Sequence, residues 1–205
     1  MQIAALSLPV SAARQVVCAA GRAGAGEDWR MISFYERRRR DPLYFQFGAA
    51  NALRAARLLE DSVLDAFRRE ASLSLELITK AVIAQRLQVG EDLGTITKVP
   101  VSHNVPKLWT EARLPALSPD DHGRLIQARV YLMWAGRYPA PNRDEDGERD
   151  EADLLEHGTS LFRTRTPRTF NWDDVERIYS TANHYFIEIR IAHGLSRPDG
   201  SIVIV

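Results

Sequence analysis

The chain has 205 residues, 45% of them apolar and 26% charged, and its 27 basic and 27 acidic residues cancel. Such values fit one globular domain with a buried core, and they exclude a uniformly basic protein that coats nucleic acid, though not a local basic patch. The single cysteine, Cys18, excludes an intrachain disulfide and a cysteine-built zinc site, which fits a reducing, cytoplasmic location.

Residues 1–45 read as a partly disordered leader, and Met31 is an alternative start to Met1. The opening MQIAALSLPVSAARQVVCAAG has no basic residue ahead of its apolar part, and Pro9 and Arg14 interrupt it. It is therefore read as neither signal peptide nor anchor. No stretch approaches the ~20 apolar residues of a membrane span. Arg37 to Arg40 form a basic run, taken as a solvated face in preference to a phosphate site. From Gln46 to Glu60 the composition is that of a strong helix.

Asp61 or Ser62 is placed to cap the next helix, expected to run to about Leu87. Leu64, Phe67, Ala71, Leu75, Ile78 and Val82 recur at the spacing of one helical face. Leu73 and Leu77 fall on the other side, so this helix is apolar nearly all round and belongs at the centre of a bundle. Two glycines and a proline make a loop of residues 88–101. Ser102 is placed to cap a short helix through Arg113. Ser118, with Pro119 at the first helical position, starts another that ends near Trp134 or Ala135, before Gly136.

Residues 144–156 read as a flexible, acidic, exposed insertion, with a short extra helix near Asp150 to His157. A last helix begins after Asn171, with Asp173 and Asp174 in its first turn, where the helix dipole favours negative charge. It continues to about His193. The tail of residues 196–205 ends in an apolar run that suits a short strand. The whole is an all-α protein with its main domain over residues 46–195.

Few residues carry chemistry. Glu76 and Lys80 are four apart in the favourable order for a helical ion pair, yet they sit in an otherwise apolar helix, where a charge needs a partner or a role. His103 stands at a helix start, a place for capping or for binding an anion. Arg137 follows Gly136, where its charge complements the C-terminal end of a helix. Arg177 and His184 lie two turns apart on the last helix, roughly 140° from the middle of the Val175, Ile178, Ala182, Phe186, Ile189 stripe. Spacing alone identifies nothing: among 24 arginines and five histidines, an Arg followed by a His after four to six residues is expected about twice by chance. There is no P-loop, dinucleotide glycine fingerprint or HExxH motif, and the histidines are scattered, so neither a cofactor nor a metal is expected.

The order of LELITKA in the central helix, then SHNVPKLW, then a final helix resembles the HEPN family, the "higher eukaryotes and prokaryotes nucleotide-binding" helical bundles. Glu76, Lys80, His103 and Leu108 fall on that family's motif positions, and WAGRYPAP around Arg137 is similar to a segment of some bacterial members. The resemblance implies a four-helix up-and-down bundle and a homodimer that binds RNA or nucleotide. It further implies a metal-independent endoribonuclease of the toxin or defence type, with Arg177 and His184 catalytic in a dimer cleft and Glu76, Lys80, His103 and Arg137 binding ligand. Ile178 departs from the pattern, standing where the family usually has a polar residue. The alternatives are a non-catalytic module that binds nucleotide or pairs with a nucleotidyltransferase-like or antitoxin partner, and a structural helical adaptor.

Overall fold

The computed structural model describes residues 33–138, 140–156 and 170–196, and among these the chain is all-α. The leader to residue 32 and the tail from residue 197 lie outside the described residues. Helix α1, Phe34–Arg40, starts at Ser33, whose hydroxyl accepts from Glu36 N. Asp41 ends it and at once caps α2, Pro42–Leu59, by accepting from Leu43 N at 2.9 Å, with Pro42 in the first turn. Helical structure thus reaches back into the segment read as leader.

Helix α3, Leu64–Gln88, packs against α2, α4, α5 and α7, and it is buried almost without interruption from Ser74 to Gln85. Its start corrects the expected cap. Val63 holds the N-cap position with no side chain to offer, while the Ser62 hydroxyl turns back and donates to Leu59 O at 3.3 Å. The turn between α2 and α3 is tight, which makes the two helices antiparallel neighbours. Gly48, Ala49, Ala52 and Ala56 form a small-residue stripe on α2, and a Cβ on Gly48 would sit 3.2 Å from Leu77 Cδ1. Small side chains here let α2 lie close along α3.

Helix α4, Val105–Glu111, is capped by Asn104 rather than by Ser102: Asn104 Oδ1 accepts from Lys107 N, and Ser102 Oγ accepts from Asn104 N. Arg113, at φ 53°, turns the chain away in the left-handed region just past its end. Helix α5, Pro119–Val130, begins as its sequence indicates, with Ser118 accepting from Asp121 N. It then widens into a π-helical turn, Tyr131–Ala135, before Gly136. A Cβ on Gly136 would meet Tyr131 O at 2.7 Å, so only glycine fits this close approach.

The acidic segment is not a flexible insertion. It forms α6, Asp144–Glu156, docked on α5 and the π-helical turn. Leu154 is fully buried with Ile126, Val130 and Trp134, a burial worth ~1.5–3 kcal/mol for one leucine. Asp150 accepts from Trp134 Nε1 at 3.0 Å and from Arg129 Nη2 at 2.8 Å, and Arg129 also reaches Asp153. Paired charge, rather than solvation, accounts for part of the acidity. Helix α7, Trp172–Ala192, is capped by Asn171 and buries Val175, Ile178, Ala182, Phe186 and Ile189 against α3. No helix among the described residues is long and apolar enough to cross a membrane.

Candidate functional site

Two charged clusters stand out on this scaffold. In the first, α3 presents Glu76 and Lys80 one turn apart, 3% and 7% exposed. Lys80 Nζ donates to Glu76 Oε1 at 2.6 Å, and Glu76 Oε2 lies 2.8 Å from His103 Nδ1. A carboxylate held by an ammonium only accepts, so Nδ1 carries the donated proton and Nε2 faces away from the pair. The His103 side chain is half-exposed. Its backbone is fixed by the Ser102 and Asn104 side-chain bonds and by Val105 N donating to His103 O at 2.9 Å. The result is a line from a buried cation, through a buried anion, to an imidazole edge at the surface.

Arg137 is not part of this cluster. It is exposed beyond the π-helical turn, its N–H bonded to Trp134 O at 2.8 Å, and no hydrogen bond or ion pair links it to Glu76, Lys80 or His103.

The second cluster joins α5 to α7. Arg177 Nη1 and Nη2 hold the two carboxylate oxygens of Asp121 at 2.5 and 2.7 Å, and Nη2 also reaches Asp174 Oδ1 at 2.9 Å. Arg124 makes the matching pair of contacts, to Asp121 Oδ1 at 3.0 Å and Asp174 Oδ2 at 2.7 Å. Two arginines and two aspartates close a ring. The Arg177 hydrogen bonds hold the Asp121 carboxyl below the usual carboxylate range, against the opposing effect of burial, with the Ser118 hydrogen bond and both arginine charges adding to the lowering. The same hydrogen bond raises the affinity of Arg177 for its proton. This arginine projects outward, as its helical position requires, but its planar fork is engaged by carboxylates of its own chain.

His184 is exposed two turns further along α7, paired with Glu188 Oε1 at 3.1 Å and edge-on to Tyr185. No contact joins it to Arg177. Within one chain the two are neighbours on a helix face and nothing more.

Sequence reasoning passes over Asp121, Arg124 and Asp174 as members of a cluster. The signal is there: Asp-x-x-Arg occurs at Asp121–Arg124 and again at Asp174–Arg177, one turn each, on the first turns of two helices. It also passes over Arg190, which is buried and bonded to Gln85 Oε1 at 2.8 Å, to Ser196 Oγ and to Leu195 O. The bond to Gln85 fastens the end of α7 to α3, and burial lowers the proton affinity of Arg190. Among the described residues no group of three or more His, Cys, Asp or Glu is placed to hold a metal.

No protein-family model, curated protein or solved structure matches this chain.

Proposed function

We propose that the chain is a HEPN-type module, a cytoplasmic homodimer in which α2, α3, α5 and α7 form a four-helix up-and-down bundle that binds nucleotide or RNA through His103. The observation that carries the reading is the Lys80–Glu76–His103 line. A buried carboxylate fixes the ring at Nδ1 and leaves Nε2 at the surface, able to donate to a phosphate oxygen as imidazolium or to accept a proton as the neutral ring. Lys80 offsets the Glu76 charge, so the ligand meets an oriented imidazole without an unpaired carboxylate behind it. A merely structural ion pair inside α3 has no need of a histidine recruited from 27 residues away.

The test is the melting temperature of the dimer against rising nucleoside triphosphate. A ligand bound to the folded state at a hundred times its Kd adds ~2.7 kcal/mol, a shift of several degrees, and His103→Gln should remove it. No shift in the wild type, or an equal shift in His103→Gln, overturns the reading.

A second reading is a metal-independent endoribonuclease with Arg177 stabilising phosphate charge and His184 moving protons. Its support is the exposure of both side chains on the same face of α7, open to a second copy. It requires Arg177 to leave Asp121 in part. RNA cleavage in EDTA by the wild type, lost in His184→Ala, would establish it.

A further inference from the structure

We infer that α1 and the first turns of α2 form a platform for single-stranded nucleic acid, separate from the elements that carry the Glu76–His103 line. Arg37, Arg38, Arg39 and Arg40 are consecutive in α1. Successive residues step ~100° around a helix, so four in a row place guanidinium groups on every side of it. Arg37, Arg39 and Arg40 are exposed. Arg40 is paired with Glu36 at 3.2 Å, while Arg37 and Arg39 enter no ion pair among the described residues. In a chain of zero net charge, this is a concentrated positive site.

Aromatic rings are interleaved with that charge. Tyr35 is 71% exposed and Phe47 56%, large flat surfaces that a folded protein ordinarily covers. The Arg38 guanidinium lies 3.9 Å from the Tyr44 ring centroid and 5.4 Å from that of Phe34. Cation–π stacking thereby fixes one arginine between two rings. Phosphates attracted by arginine and unpaired bases stacked on open rings are the two halves of single-strand recognition. Complementary charge selects the polyanion, and the exposed rings select unpaired bases over a duplex, whose bases are already stacked.

A membrane surface is the less suited occupant. Interfacial helices segregate an apolar face from a charged one, and a ring of four consecutive arginines leaves α1 no apolar face to insert. His103 has no part in this platform, so the two sites stand or fall separately.

The test is fluorescence anisotropy of the full chain with a short labelled oligouridylate, an oligothymidylate and a duplex, at rising salt. Both single strands should bind alike and the duplex more weakly. The Arg37→Ala/Arg39→Ala variant should bind at least tenfold more weakly, and its log–log salt dependence should flatten by ~0.7 for each phosphate that is no longer neutralised. Tyr35→Ala/Phe47→Ala should weaken binding at least ~5-fold per ring and leave the salt slope unchanged. All four side chains are on the surface, so melting temperatures should not move. His103→Gln should retain oligonucleotide binding, which separates this site from the other. Absence of binding, binding equal to wild type in both variants, or preference for phosphatidylserine vesicles over the oligonucleotide overturns the inference.

Discussion

The two charged clusters use the same kinds of group to opposite ends. In the Asp121–Arg124–Asp174–Arg177 ring every charge meets an opposite charge, and its two arginines and two aspartates fasten α5 to α7. In the Lys80–Glu76–His103 line the pairing is completed inside α3, and the third member carries the consequence outward to a half-exposed imidazole. A closed ring holds helices together, whereas an open line orients a group for something else. The contrast also bears on Arg177: a planar donor fork already matched to a carboxylate is an anchor before it is a reagent.

The largest expected break is on the line. Glu76→Ala leaves Lys80 charged and unpaired in the core, which should cost ~3–5 kcal/mol by urea unfolding. Glu76→Leu combined with Lys80→Met should recover most of that stability, because a buried pair exchanged for apolar groups of similar size is often neutral. His103 would still be without its orienting partner, and ligand stabilisation should remain absent. Stability recovered without binding would separate the two roles of the cluster.

On the ring, Asp121→Asn should cost ~1.5–3 kcal/mol near neutral pH, the worth of hydrogen bonds to charged groups. The sign of its pH dependence follows from the depressed folded-state affinity for protons. Asp121 stabilises fully above its unfolded value of about 3.9 and loses that contribution as pH falls through the lower folded value. Urea midpoints of wild type and Asp121→Asn should therefore converge in acid. Midpoints that stay apart there would mean that the ring contributes through packing rather than charge.

The smallest effects should come from the two surface histidines. His103→Gln should change stability by less than ~1 kcal/mol while abolishing the nucleotide-dependent shift. His184→Ala should stay within ~0.5 kcal/mol, since its one ion pair is exposed. A much larger destabilisation at His184 would reveal an interface that the single chain does not show.

Legibility in the sequence follows the physical range of each interaction. The burial of α3, the stripe of α7 and the Ser118–Pro119 start are periodic or local, and they stand in the sequence as they stand in the structure. The start of α2 carries a local cap signal, Asp41–Pro42, but the four arginines ahead of it weight the segment toward solvent. Helix α6 reads as a solvated run because acidity conceals its partners: Asp150 depends on Arg129 and Trp134, which lie on other elements. The approach of His103 to Glu76 spans 27 residues, and no spacing rule reaches that far. The ring lies between these cases, with each Asp-x-x-Arg half local and the joining of the halves tertiary.

The π-helical turn gives the chain a place where its length can change. Such a turn holds one residue more than an α-helix would, so excising Met133, which is exposed, closes the turn to α geometry and leaves Trp134 on nearly the face it had. The same excision anywhere in α5 rotates all that follows by ~100° and carries Trp134 away from Asp150. Between the Asp121 ring and the docked α6, then, this stretch can shorten by one residue while both ends keep their partners.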